Sequence, residues 1–436
     1  MTQGDPLPAG ALPRDPMPGC ALPGTPLADA LPGINACVHC GFCLQACPTY
    51  LNLEDENDSP RGRIFLMRSL LEGTVRPDDP SVQQHIDQCL GCRACEPVCP
   101  SGVPYGQLLE ATRATLVEYR PIPVVARLIL FVFARNWLLR PAMFLSRLLA
   151  ATPIPTLFSG IKGRLGFAMA MLASTGRSIE RSRYSPVSRG ERGSVATLRG
   201  CVMDGLFNNT NRATARVLAV NDYSIVGAPG QKCCGALHAH AGDLETARSL
   251  ARSNIAAFEK SGASYIAVNA AGCGAIMKEY GHLLKDDPAW HDRAVGVSAR
   301  VRDVSELLAA AGPREGGPLP FKVTYDAPCH LQHAQRVTQA PLSVLAAIPG
   351  LELVPLHDSD QCCGSAGIYN LIEPETSDAV LEPKLANIRA TGAAWVATGN
   401  PGCLMQIGAG LIRAEIGARA IHPIDLLDAS YAAFGQ

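Results

Sequence analysis

Eight cysteines near the N-terminus form two runs of one spacing, Cys37-x2-Cys40-x2-Cys43-x3-Cys47-Pro48 and Cys89-x2-Cys92-x2-Cys95-x3-Cys99-Pro100. Thiolates are soft donors, and four converging on one point suit iron–sulfur or zinc chemistry. In this spacing a tight loop offers three sulfurs to one [4Fe–4S] cluster, while the fourth reaches the cluster of the other run. Cys37, Cys40, Cys43 and Cys99 are thus expected to hold one cluster, and Cys89, Cys92, Cys95 and Cys47 the second. Zinc ribbons instead show paired C-x2-C knuckles, and two complete copies 52 residues apart argue against coincidence. The proline after each fourth cysteine removes a donor and turns the chain away.

The elements around these runs must position them. Between the runs, Pro60-Arg61-Gly62-Arg63 opens an apolar helical stretch over residues 64–71. Either the arginines approach the anionic clusters and raise their reduction potentials, or they are the solvated start of a capped helix. After Pro104 comes one helix, then residues 122–149, where apolar residues alternate with Arg127, Arg135, Arg140 and Arg147. No stretch there approaches the roughly 18–20 uncharged residues that span a bilayer. The pattern fits an interfacial helix, a docking helix for a partner subunit, or a helix packed on its own domain. A polar linker over residues 177–192 marks a boundary. Residues 1–33, rich in Pro, Gly, Ala and Leu, are expected to be a disordered tail with Cys20 a bystander.

From residue 195 the chain repeats itself. Cys201, Cys233-Cys234-Gly235 and Cys273 align with Cys329, Cys362-Cys363-Gly364 and Cys403 at offsets of 128, 129, 129 and 130 residues. Short β-like runs precede each cysteine: 195–198 and 323–325, 225–226 and 351–356, 265–268 and 395–397. Helical segments such as 245–260 and 376–391 alternate with them, which predicts a parallel α/β sheet in each copy. Functional groups gather at the carboxyl ends of such strands, where all these cysteines fall. Each copy is expected to gather four thiols as a metal site, iron–sulfur or zinc, against the alternative of inert buried cysteines left by duplication. His238, His240, His330, His333 and His357 lie near these loops and are read as hydrogen-bonded neighbours, not ligands.

The 436 residues, 47% of them hydrophobic, fill several cores, and a net charge of −1 gives no general attraction to nucleic acid. Ligand-spaced cysteines and the lack of a basic-then-apolar leader predict a reducing, cytoplasmic location. No strand is followed by G-x-G-x-x-G: Gly272-x-Gly274 and Gly408-x-Gly410 lack the third glycine. With no P-loop or Ser/His/Asp signature either, the chemistry is expected in another polypeptide, and this chain carries electrons.

Several strings make the chain resemble the iron–sulfur subunit family of bacterial glycolate oxidase. They are Ala36-Cys37-Val38-His39-Cys40-Gly41-Phe42-Cys43, Pro60-Arg61-Gly62-Arg63-Ile64, Cys99-Pro100-Ser101-Gly102-Val103, Asn211-x-Ala213-Thr214-Ala215-Arg216-Val217-Leu218, Lys278-Glu279-Tyr280-Gly281, Leu331-Gln332-His333-Ala334-Gln335 and Cys362-Cys363-Gly364-Ser365-Ala366-Gly367. The resemblance runs from about residue 34 to the end. It implies FAD-containing partner subunits that oxidise glycolate to glyoxylate, and electrons leaving through this subunit toward quinone or another electron acceptor, with peripheral contact at the cytoplasmic face of the inner membrane. The isolated chain is then not catalytic. Subunits of lactate, other 2-hydroxyacid or glycerol-3-phosphate complexes, and a cluster-based redox sensor, are the alternatives. In the wider group each copy ends Cys-x2-Cys; here Ile276 and Gln406 stand at the last position, which argues against five-cysteine clusters.

The expected architecture is α+β. A tail (1–33) precedes an α-helical two-cluster ferredoxin-type domain (34–120), an amphipathic connector (121–193) and two duplicated α/β Cys-Cys-Gly repeats with parallel sheets (194–312 and 320–436).

Overall fold

Two four-stranded parallel sheets carry the duplicated half in a computed structural model that describes residues 19–176 and 184–434. The first consists of β1 (Ser194–Thr197), β2 (Ser224–Val226), β3 (Tyr265–Val268) and β4 (Val301–Asp303) in the order β2-β1-β3-β4. The second, β5 (Lys322–Tyr325), β6 (Glu352–Val354), β7 (Trp395–Ala397) and β8 (Arg419–Ile421), has the matching order β6-β5-β7-β8. Val195 lies opposite Ile225 and Tyr265, and Val323 opposite Leu353 and Trp395. In each sheet the connection direction reverses at the central pair, which opens a crevice at the strand carboxyl ends. Helices cover the faces. Leu244–Ser261 buries Ala247, Leu250, Ala251, Ile255 and Phe258, a helical-period stripe, and starts where the Asp243 carboxylate accepts from Thr246 N.

The repeats meet along a seam with its own apolar core, in which Val195, Val217 and Leu218 join Val323, Val344 and Tyr431. Polar pins cross it. His422 Nε2 lies 2.9 Å from Asn269 O, Thr210 Oγ1 donates to Asp425 Oδ2 at 2.9 Å, and Arg216 pairs with Asp428 at 2.6 Å.

The N-terminal domain is helical: α1 (Pro26–Asp29), α2 (Leu31–Asn35), α3 (Pro48–Leu53), α4 (Pro60–Glu72), α5 (Pro80–Asp87) and α6 (Tyr105–Leu116). The expected disordered tail needs correction here. Residues 1–18 lie outside the described residues, but Leu22, Leu27 and Ile34 are buried in the core with Met67 and Leu108. The prolines that suggested disorder occupy helix starts, Pro26 behind the Thr25 cap and Pro32 in α2, where a missing N–H costs nothing. Leu27 N donates to Thr115 Oγ1 at 3.1 Å, tying the segment to α6.

The connector forms α7 (Val124–Phe133), α8 (Asn136–Ala150), α9 (Ile154–Phe158) and α10 (Arg164–Ser174). Among the described residues no single helix is long and apolar enough to cross a membrane, and α7 and α8 meet at 104°. This segment straps both repeats. On α8, Met143 fills the space beside Gly205, and Asn136 Nδ2 donates to Gln231 O at 3.3 Å. On α10, Phe167 and Ala170 join the second repeat's core at Ile407. Residues 177–183 of the expected linker lie outside the described residues; Tyr184 then docks its hydroxyl on Asp428 Oδ1 at 2.9 Å.

Candidate metal centres

Two cavities in the helical domain are lined by thiols. Cys37, Cys40, Cys43 and Cys99 border the first, Cys47, Cys89, Cys92 and Cys95 border the second, and Cys95 stands between them, lining both. The grouping is crossed: Cys99 faces the loop of Cys37 to Cys43, and Cys47 faces that of Cys89 to Cys95. Tyr105 borders both cavities, its hydroxyl 3.6 Å from Cys89 Sγ. The first lies near the surface, with Cys40 exposed between Val38 and Phe42, themselves 68% and 66% exposed. The second is internal, and Cys47, Cys89 and Cys95 are buried.

The two arginines at the start of α4 play different parts. Ser59 caps the helix by accepting from Gly62 N at 2.9 Å. Arg61 stays at the surface, paired with Glu56 at 2.6 Å and reaching His39 O at 3.3 Å. Arg63 is fully buried, pairs with Asp58 Oδ1 at 2.9 Å, and also donates to Asp58 O and Thr49 Oγ1. Those two oxygens lie 3.7 and 3.2 Å from Cys47 Sγ, so a fixed positive charge stands directly behind the second cavity.

Burial pushes the Cys43 thiol up to about 11 and holds Cys92 and Cys95 well above the ordinary thiol range. Such thiols lose their protons to a bound cation. A donor set of four sulfurs and no carboxylate fits a soft centre such as iron–sulfur, not a hard cation.

In each repeat, four further thiols meet where strands end. Cys201 follows β1, Cys233 and Cys234 follow β2, and Cys273 follows β3. Cys233 Sγ lies 3.7 Å from Cys201 Sγ, and Cys234 contacts Cys273. In the second repeat Cys329 Sγ lies 4.0 Å from Cys362 Sγ, and Cys363 contacts Cys403. The loop glycines are required: Gly364 has φ +84°, and a side chain there would strike Ser377 O. Ile276 is buried, and Gln406 is locked by Asn370 and Ser377 at 2.8 and 2.9 Å, so neither offers a free donor.

The two thiol groups have different surroundings. In the first repeat, Asn254 Nδ2 donates to Cys233 O and Tyr280 OH to Cys234 O, at 2.9 and 2.8 Å. In the second, Lys384 Nζ is buried beside Cys362 and Cys363 and pairs with Asp326 at 2.6 Å. Nothing in the sequence marks Lys384 as buried, and the pair goes unnoticed there. Location differs too. Cys92 and Cys329 pack on one apolar cluster with Leu90, Cys362 and Tyr369, which places the second repeat's thiols against the second ferredoxin-type cavity. The first repeat's Cys201 and Cys233 open instead on a cleft beneath α8, rimmed by Arg140, Arg147, Arg199 and Lys232.

Four of the five histidines near the repeat loops have a backbone carbonyl or carboxylate partner. His238 Nε2 lies 3.1 Å from Leu130 O, His333 Nε2 2.9 Å from Asp360 O, and His240 Nδ1 2.9 Å from Glu110. His357 pairs with Asp358 at the surface. His330 approaches a thiol, with Nδ1 3.9 Å from Cys329 Sγ.

The family model described as 4Fe-4S dicluster domain matches residues 33–103, and Cysteine-rich domain matches residues 195–278 and 323–408. The "Probable glycolate oxidase iron-sulfur subunit" of Bacillus subtilis is 39% identical, over 90% of this chain and 92% of its own length. The "Glycolate oxidase iron-sulfur subunit" of Escherichia coli is 37% identical, over 85% and 88%. "Lactate utilization protein A" of Shouchella clausii is 31% identical over 48% of this chain and 87% of its own length. The glycolate-type relatives thus match through the helical domain, the connector and both repeats, and the chain belongs to the family of glycolate oxidase iron–sulfur subunits.

Proposed function

We propose that this chain conducts electrons from FAD-containing partner subunits, which oxidise glycolate to glyoxylate, toward a quinone at the cytoplasmic face of the inner membrane. The observation that carries this reading is the pair of adjoining thiol-lined cavities, one at the surface and one inside against the second repeat. Cys37, Cys40, Cys43 and Cys99 would hold the outer [4Fe–4S] cluster, and Cys47, Cys89, Cys92 and Cys95 the inner. Bound there, the clusters supply one-electron redox steps. Exposed Val38 and Phe42 flank the outer site and suit a flavin-subunit contact. Arg63 stabilises the reduced, more negative state of the inner site. In the repeats, Cys201, Cys233, Cys234 and Cys273, and Cys329, Cys362, Cys363 and Cys403, would each hold a further cluster or zinc.

The connector supports membrane contact. Residues 121–176 contain six Lys and Arg and no Asp or Glu. Leu128, Trp137, Leu145 and Leu157 are between 61% and 73% exposed on it. An apolar face ringed by cations suits an anionic lipid surface, each cation contributing about 1 kcal/mol near it.

The test is to co-purify the chain with its flavin subunits and count iron and acid-labile sulfide. About eight irons per chain fit the two ferredoxin-type sites alone, and roughly twelve or sixteen add the repeats. Glycolate must reduce the clusters, seen by low-temperature EPR, only with the flavin subunits present. Flavin on the isolated chain would overturn the division of labour. Glycolate takes precedence over lactate because the glycolate-type relatives match along nearly the whole chain.

A further inference from the structure

A cleft lies where the inner cysteine cavity, the connector and both repeats come together. It encloses about 1000 Å³, its open mouth included. One wall is Cys89 and Leu90, so the cleft borders a residue of the inner site. Val117, Ile122, Ala126, Ile368 and Ile372 make the remaining walls largely apolar. Segment 121–126 both lines the cleft, through Ala126, and presents Val124 and Val125 outward, 60% and 55% exposed. The cleft is therefore continuous with the apolar, cationic face of the connector.

Polar and charged side chains line it too, and those nearest Cys89 are held in place. Arg113 is spent holding the walls together, with Nη1 donating to His240 O at 2.9 Å and Nη2 to Cys89 O at 2.7 Å. The His240 ring, anchored to Glu110, stacks on the His330 ring at 5.3 Å. His330 Nε2 is shielded from solvent and has no hydrogen-bond partner. A buried ring nitrogen left unpaired is destabilising unless a ligand meets it. Glu373 at the cleft edge is half-buried, and burial raises its carboxyl above the usual range.

We propose that this cleft is a quinone-reduction site: a prenylated quinone enters from lipid along α7, lies against Cys89 and Leu90, and takes a hydrogen bond from His330 Nε2. The inference rests on the electron-transfer reading above. A cluster held by Cys47, Cys89, Cys92 and Cys95 would supply the two electrons one at a time, drawn in turn from the flavin subunits. Two protons, drawn from solvent past Glu373 and the His240–Glu110 pair, bond to the two quinone oxygens. Both C=O double bonds become C–O single bonds, and quinol leaves by the same apolar path.

The experiment uses the complete complex in vesicles containing anionic lipid. A photoreactive azidoquinone with a short alkyl tail is cross-linked and the labelled peptides are identified by mass spectrometry. Label is expected in residues 113–126 and 366–373, and excess unlabelled short-tail quinone should suppress it. Ile368→Trp and Val117→Trp fill the cleft from opposite walls, and each should cut labelling and quinone-dependent turnover at least about tenfold. Label concentrated elsewhere, or full labelling in both filled variants, overturns the assignment. Glycolate-driven reduction of a soluble one-electron dye by the wild-type complex reports the underlying reading separately. If that reduction is absent, electron transfer itself falls; if it is present while the label lies elsewhere, only the cleft falls.

Discussion

The two Cys-Cys-Gly repeats share a sheet order, a strand register and a four-thiol cluster, yet their environments have diverged. The first holds its thiol loop by Asn254 and Tyr280 on backbone carbonyls and opens Cys201 and Cys233 toward the connector, on a cleft rimmed by cations. The second places the Lys384–Asp326 ion pair beside its thiols and packs them against Cys92 and Leu90 of the helical domain. Duplication preserves what holds a backbone loop in shape. Charge and neighbours are free to change, and they decide which copy shares a wall with the inner ferredoxin-type site.

The sharpest way to break this comparison is to remove one thiol from each copy. Cys362→Ser should lower glycolate-to-quinone turnover by more than about 100-fold and alter the EPR lines of the inner cluster. Cys233→Ser should cost less than about tenfold and leave those lines unchanged. Equal losses would show that the contact with Cys92 has no electronic meaning.

A smaller effect is expected in stability. Lys384→Met strands Asp326 in a buried site and should cost about 3–5 kcal/mol, read from the denaturation midpoint. Asn254→Ala, at the corresponding place in the first repeat, leaves Cys233 O and Lys232 N without their partner and should cost about 1–3 kcal/mol. A reversed ranking would mean that the ion pair is already solvated.

The seam sharpens the picture through pH. Burial raises the Asp425 carboxyl from 3.8 to about 7. The unfolded chain gives up this proton near pH 4 and the folded chain near pH 7, so the stability this group allows is lost as pH rises between those values. His422, lowered from 6.5 to about 4 by burial, acts oppositely: its contribution is lost as pH falls through that window. Asp425→Asn should therefore stabilise the protein on the order of 1–2 kcal/mol at pH 8 and little at pH 4. A gain independent of pH would assign the effect to packing across the seam.

The thiol positions, the three leading strands of each sheet and the helices between them were legible because cysteine spacing and hydrophobic period are local signals. The fourth strands were not. Val301–Asp303 and Arg419–Ile421 are three residues long and carry charge, so they become strands only by pairing with β3 and β7. The order in residues 19–33 was hidden because composition counts prolines without seeing that Pro26 and Pro32 begin helices. Which repeat meets the inner cavity was equally hidden. The cysteine spacings of the copies are nearly identical, and only tertiary packing separates Cys362 from Cys233.

The crossed grouping of thiols also bears on synthesis. The inner cavity has its four cysteines once Cys95 has left the ribosome, but the outer one, whose loop is made first, waits for Cys99. The site translated earliest is completed last. A nascent chain therefore offers iron no finished outer site until both loops have emerged and closed on one another, and premature loading is discouraged by the order of translation itself.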